Sequence, residues 1–230
     1  MGFWPKEHSD TAVGARIFYP PLHFEVRACF RRKADIASIT GYDYAMKGPS
    51  RIEGYAIVSD DGMLANAAGI MPDSLKFEAD QAFFERGLDG VDVVVHGRHS
   101  HEQQRHSDLR RRLILTRRIS TVANDPNNKR ALFWNPAGAT LEQVLAVLGV
   151  PNASLGVIGG TEVFGVFLNL YNVFYLSHAP GVRLPGGRPV FPDVPRRSPE
   201  DVLKQHGLKR DPPQLLDAKN GVTVVRWHRS

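Results

Sequence analysis

The chain carries a single cysteine, Cys29, among its 230 residues. One thiol cannot close an internal disulfide, and without a Cys pair there is neither a zinc knuckle nor a redox dithiol. A reducing, cytoplasmic setting is therefore expected. No run approaches the roughly 18 apolar residues that a membrane-spanning helix requires. Residues Met1, Gly2, Phe3, Trp4, Pro5 and Lys6 lack the charged start and apolar stretch of a secretory leader. A protein neither inserted nor exported is expected. Internal repeats and low-complexity tracts are absent as well. Acidic residues are scarce in one place: between His96 and Arg130, nine Lys and Arg face only Glu102, Asp108 and Asp125, a local net of +6 in a chain whose total is +5. Such a field either forms a solvated basic face or attracts an anionic partner, a phosphorylated small molecule or a nucleic acid.

Hydrophobic residues make up 42% of the chain and charged ones 23%, the balance of an ordinary globular domain, and the length suits one core. Residues 1–50 show no sustained apolar period and contain Pro20-Pro21, which predicts a loosely packed N-terminal extension. Met46 is then a candidate native start. From Arg51 to Ser230, strand-like and helix-like segments alternate. Strands are predicted at Gly54 to Ser59, Val91 to His96, Leu113 to Thr116, Ala131 to Trp134, Leu155 to Ile158, Val173 to Ser177 and Val222 to His228. Most are short and rich in Val, Ile or Leu, as doubly buried strands are. Helices are predicted at Leu75 to Arg86, Leu141 to Leu148, Glu162 to Leu168 and after Ser198. Thr140 and Gln143 have capping-box spacing, and Ser198-Pro199 places proline at a first helical position. Lys219-Asn220-Gly221 predicts a tight turn into the last strand. The pattern predicts a three-layer α/β/α fold with a mainly parallel central sheet and an antiparallel C-terminal edge strand.

Two strand-to-helix turns carry chemistry. In Val93-Val94-Val95-His96-Gly97-Arg98-His99-Ser100 a buried strand runs into a glycine, an arginine and a hydroxyl, at the sheet edge where α/β folds bind ligands. Arg98 offers a fork of donors suited to phosphate; the alternative is an ordinary tight turn with an exposed arginine. In Val157-Ile158-Gly159-Gly160-Thr161-Glu162, two glycines permit positive φ and close approach of a ligand to the backbone, and Thr161 can cap the following helix. This is not the Gly-x-Gly-x-x-Gly fingerprint. Paired in one sheet, the two turns form a candidate diphosphate cradle.

The succession Ser59-Asp60-Asp61-Gly62-Met63-Leu64-Ala65, Met71-Pro72, Ala79-Asp80-Gln81-Ala82-Phe83-Phe84, Gly97-Arg98-His99-Ser100, Leu115-Thr116-Arg117, Val157-Ile158-Gly159-Gly160, Tyr175-Leu176-Ser177-His178 and Phe191-Pro192 resembles the dihydrofolate reductases over Arg51 to Ser230. The resemblance implies NADPH-dependent reduction of 7,8-dihydrofolate to tetrahydrofolate. It places Gly97, Arg98, His99 and Ser100 at the cofactor's phosphates, Thr116 and Arg117 by its adenosine phosphate, and Gly159, Gly160 and Thr161 at the diphosphate and nicotinamide side. Arg98 and Arg117 favour NADPH over NADH, because a 2′-phosphate calls for cationic partners. Asp80 takes the place of the substrate carboxylate, supported by Ser177, with Phe84 lining the ring pocket. Arg110 falls near the arginine that holds folate's glutamate carboxylate.

The residues leave alternatives open. An acid in a helix's first turn is favoured by the helix dipole whatever its chemistry, and the segment Lys76-Phe77-Glu78 makes Glu78 a second candidate for the role of Asp80. Asp73-Ser74 follow Met71-Pro72 where the family usually has an aromatic residue. The chain also resembles the riboflavin-pathway reductase, through Ser59 to Ala65 and Leu88 to Val95, which implies a ribosylamino-pyrimidine as the alternative substrate. A nucleic-acid-binding role for Arg105 to Arg118 lacks any recognisable binding motif. His96, His99, His101 and His106 cluster, but His101 and His106 are five residues apart and point about 140° from each other on a helix, so no metal is expected. The expected partner is a small pterin or pyrimidine, with no nucleic acid and no membrane, for a monomer or homodimer.

Overall fold

The computed structural model describes residues 48–98 and 107–230. The extension expected over residues 1–50, including the alternative start at Met46, lies outside the described residues up to residue 47. No helix among the described residues is long and apolar enough to cross a membrane.

In chain order the strands are β1 (Arg51–Val58), β2 (Met63–Ala65), β3 (Val93–Gly97), β4 (Arg111–Leu115), β5 (Val122–Asp125), β6 (Asn128–Trp134), β7 (Ser154–Val157), β8 (Val173–His178), β9 (Arg188–Pro189), β10 (Lys209–Arg210), β11 (Gln214–Asp217) and β12 (Val222–His228). The helices are α1 (Glu78–Asp89), α2 (Leu141–Val147), α3 (Thr161–Phe167) and α4 (Pro199–Gln205). The main sheet runs β10-β12-β8-β1-β7-β3-β4-β6-β5, with β11 also on β12, while β2 and β9 form a separate ribbon. Neighbours from β8 across to β6 are parallel. β12 is antiparallel to β8, and β5 to β6.

All seven predicted strands are present. The last occupies Val222–His228 as expected and is antiparallel, but its outer side is paired by β10 and β11, so it is not the edge. Those two short strands, Lys209–Arg210 and Gln214–Asp217, are mostly exposed and carry no apolar alternation that would reveal them.

The first helix starts at Glu78 rather than Leu75. Leu75 ends a short 3-10 turn (Asp73–Leu75), and Lys76 and Phe77 are extended before the helix begins. Leu75 is buried with Ile57, Ala179 and Val222, so it reads as a core residue without being a helical one. The starts of α2 and α4 follow their caps. Thr140 accepts from the Gln143 N–H while the Gln143 side chain accepts from the Thr140 N–H, and Ser198 accepts from the Asp201 N–H ahead of Pro199.

Strand alternation sorts the sheet into two faces. Val93, Val95, Leu113, Leu155, Val157, Phe174 and Leu176 share a core with Leu141, Val144 and Leu145 of α2, Val163, Phe164 and Phe167 of α3, and Val202 and Leu203 of α4. Tyr55 and Val94 point the other way and pack with Leu88, Phe83 and Phe84 of α1. The result is the three-layer α/β/α arrangement. Gly54 is the tightest point of the first core: a Cβ there would lie 2.2 Å from the Phe174 ring and 3.0 Å from Tyr171. Gly54→Ala is expected to cost about 1–3 kcal/mol by overpacking, seen as a melting temperature lower by about 3–10 °C. An unchanged melt would mean that the aromatic cluster has room to give.

Candidate functional site

The carboxyl ends of β3, β4 and β7 lie side by side, and their turns are joined through the backbone. The Gly97 N–H donates to the Gly159 carbonyl at 2.9 Å, the Ile158 N–H to Val95 at 2.9 Å, and the Arg98 N–H to Leu115 at 3.2 Å. Gly97 sits close to the second turn: its Cβ would be 3.3 Å from Val163 and 3.9 Å from the Gly160 nitrogen. Gly159 has φ +95°, and a Cβ there would lie 2.6 Å from the Phe164 ring, so only glycine fits. The Gly159-Gly160 peptide is cis. Gly160 differs from its neighbour, because a Cβ on it would meet nothing within 4 Å. The cradle is therefore packed on its protein side and open on the other.

Arg98 follows β3 and Arg117 follows the adjacent β4, whose Leu115 pairs with Gly97. Arg98 is half-buried and Arg117 exposed, while the Thr116 hydroxyl is turned inward to accept the Arg118 N–H at 3.2 Å. Thr161 does not cap α3. Gly160 occupies the cap position, and the Thr161 hydroxyl donates instead to the Pro189 carbonyl, tying α3 to β9. His99 and Ser100, and with them His101 and His106, lie outside the described residues.

A second group sits at the same edge on the α1 face. Asp80, in the first turn of α1, is half-buried and hydrogen-bonded to the buried Ser177 of β8. Burial pushes its carboxyl above the usual carboxylate range, and the bond from Ser177 pulls the other way. Glu78 is exposed, so of the two candidate acids only Asp80 faces the sheet.

Below Asp80 the space between α1 and the sheet is aromatic. Tyr55 stacks on Tyr175 with centroids 5.0 Å apart, and Phe84 and Phe83 meet Tyr55 at 6.1 and 6.5 Å. The sequence assigns the ring pocket to Phe84; Phe83 and Tyr175 lie in the resembling segments without a role there, and Tyr55 lies outside them. The Tyr55 hydroxyl donates to the buried Glu53, which also pairs with Arg51. Burial and the Glu53 charge both push the phenol upward, so it stays a neutral donor. Gly87 lets α1 come down on this ring, since a Cβ there would be 2.5 Å from it. A signal for this group was Glu53, an acid ahead of the apolar run of β1, which needs a partner when buried.

Arg110 is not brought to Asp80. Its Nη2 pairs with Asp89 at 2.6 Å, at the other end of α1, which is about 13 Å of helix rise from Asp80. Its Nη1 is buried with no hydrogen-bond partner among the described residues. A cleft of about 260 Å³ opens there, lined among others by Leu88, Val91, Leu109, Arg111 and Arg130.

No family model matches the chain, and no curated protein sequence does. Solved structures do. A putative riboflavin biosynthesis protein from Shewanella sp. PV-4 matches with a TM-score of 0.54 at 18% identity, over 78% of this chain and 99% of that one. Dihydrofolate reductase from Enterococcus faecalis, complexed with NADP(H) and RAB-propyl, matches with a TM-score of 0.54 at 16% identity, over 80% of this chain and 98% of that one. A diaminohydroxyphosphoribosylaminopyrimidine deaminase/5-amino-6-(5-phosphoribosylamino)uracil reductase from Thermotoga maritima matches at 0.53 and 14% identity, over 79% of this chain and 57% of that one. At these identities the likeness is one of architecture, and the architecture of this chain is the dihydrofolate reductase-like fold.

Proposed function

We propose that the protein is an NADPH-dependent reductase of a pterin C=N bond, with 7,8-dihydrofolate as substrate. The observation that carries this reading is the half-buried Asp80 carboxyl, bonded to Ser177 above an aromatic floor, at the same sheet edge as the paired glycine turns.

The cofactor fits the donor set. Gly160 leaves the backbone approachable, Gly97 lets the two turns pack together, and Arg98 and Arg117 stand at the ends of neighbouring strands, where a phosphate-bearing ligand needs cations. Thr116, Gly159 and Thr161 complete the cradle by shaping it, since the two hydroxyls are engaged within the protein. His99 and Ser100 are assigned to the phosphates by sequence resemblance. When bound, the reduced nicotinamide supplies a hydride.

The chain's own residues supply the rest. Hydride transfer to a C=N carbon leaves an electron pair on nitrogen that must take a proton. Asp80 holds the amidine edge of the ring by paired hydrogen bonds, and its raised affinity for a proton lets it promote delivery to that nitrogen through water. Ser177 fixes the carboxyl, and Phe84 packs on the ring. Arg110, at the far end of α1, is suited to a carboxylate on the substrate's tail, because its Nη1 lacks a partner among the described residues.

The test is the loss of NADPH absorbance with purified protein, with dihydrofolate, the riboflavin-pathway ribosylamino-pyrimidine, or no substrate. Turnover of dihydrofolate is expected. Turnover of the pyrimidine alone would keep the reductase and overturn the substrate.

A further inference from the structure

We propose that the groove between α3 and the segment that follows β9 is a second small-molecule site, and that its ligand is an organic cation, an ammonium or guanidinium group carried on a compact apolar body. The site is independent of the dihydrofolate reading and selects the opposite charge to the dinucleotide cradle.

The groove is a concavity of about 310 Å³ with an apolar bed. Leu168 and Val202 are its buried lining, and Val166 of α3 and Pro192 its exposed one. Gly165 lets these sides come together, since a Cβ on it would lie 2.9 Å from the Pro192 ring. Small-molecule sites span about 300–1,000 Å³. A volume at the lower end suits one ring or a branched chain and is too small for a dinucleotide. The body of such a ligand would cover Val166, an apolar side chain otherwise left in water.

Two carboxylates give the groove its sign, in a chain whose net charge is +5. Glu162, in the first turn of α3, and Asp193, beside Pro192, both line it. The helix dipole favours an acid at Glu162 whatever its use, but Asp193 lies in a turn outside α3 and has no such explanation. No cation among the described residues pairs with Glu162. Asp193 meets Arg196 at 3.3 Å with both side chains largely exposed, a pair worth little in water. Lys204 of α4 is engaged by Asp201 at 3.4 Å. A neutral guest would strip water from the two carboxylates and replace it with nothing, whereas a cation replaces it with an opposite charge. An anion is repelled. The paired glycine turns, flanked by Arg98 and Arg117, have the reverse preference, so the two sites take different classes of ligand.

The experiment titrates the full chain with phenethylammonium chloride and with its neutral isostere 2-phenylethanol, following backbone amide shifts by two-dimensional NMR at low and at high salt. Shifts are expected at Gly165, Val166 and Asp193. The Kd for the cation should be about three- to tenfold lower than for the alcohol, as two exposed ion pairs supply, with the advantage shrinking in salt. The double variant Glu162→Gln/Asp193→Asn should bring the ratio of the two Kd values close to one while the alcohol still shifts Gly165 and Val166, which shows the apolar bed intact. Glu142→Gln, a matching charge change on α2, should leave the ratio as it is, and saturating NADPH should not displace the cation. Equal Kd values in the wild type, or no shifts on α3, overturn the site. A ratio that survives in the double variant overturns the assignment to these two carboxylates. Displacement by NADPH would put the cation in the cradle and overturn the groove. None of these readouts uses dihydrofolate, so a failure of the substrate reading leaves the test standing.

Discussion

Asp80→Asn is expected to lower dihydrofolate turnover by about 10²- to 10⁴-fold and, in the same protein, to raise the melting temperature at pH 8. The two effects have one cause. Burial holds the Asp80 carboxyl above its ordinary range, so the folded protein binds that proton more tightly than the unfolded chain does. Ionised Asp80 therefore costs stability at any pH above its folded value. The cost fades as pH falls through that value and is gone below the unfolded one, about 3.9. Asparagine carries no such cost and keeps the shape and one hydrogen bond for Ser177. The stabilisation should therefore appear at pH 8 and vanish near pH 4. The wild-type rate of the reductive step should decline as pH rises through the folded value, and that limb should be missing in the variant. Loss of activity together with a lower melting temperature at pH 8 would mean that Asp80 is a structural anchor for α1 instead.

What the sequence could reveal followed from how each feature is encoded. The six parallel strands and β12 are apolar runs, and α2 and α4 announce themselves by Thr140 and Ser198, whose capping bonds are present in the structure. The paired glycine turns were legible because the backbone conformation of Gly159 excludes other residues. The start of α1 was not, because Leu75 is buried for reasons unrelated to the helical period. β10 and β11 were not, because an exposed two- or four-residue strand is held by its neighbour β12 and needs no pattern of its own. The aromatic floor was missed for a different reason. Tyr55, Phe83 and Tyr175 are separated in sequence by up to 120 positions and meet only once α1 has crossed the face of β1 and β8. Thr161 shows the limit of motif reading at a single residue: threonine at a helix start is usually a cap, and here the cap position falls one residue earlier, on Gly160.

Arg98→Ala is expected to weaken NADPH binding by about 10- to 150-fold while leaving NADH within about threefold of the wild type. The range corresponds to about 1.5–3 kcal/mol for hydrogen bonds to a charged group. Arg98 is placed for this role by its position one residue past Gly97, with its N–H already committed to the Leu115 carbonyl, which fixes where the side chain begins. The two dinucleotides differ only by the 2′-phosphate. A residue that touches that group discriminates between them, and one that touches the shared diphosphate does not. Fluorescence titration of both dinucleotides separates these cases without requiring turnover. Arg117→Ala gives the companion measurement, since Arg117 is more exposed and its partner interactions are more strongly screened by water. The loss should be smaller, about threefold to tenfold, and again confined to NADPH. If Arg98→Ala weakens both dinucleotides equally, the arginine belongs to the diphosphate, and selectivity for NADPH has to come from Arg117. If neither variant changes either affinity, the paired turns are not a dinucleotide cradle, and the reductase reading loses the donor set on which it depends.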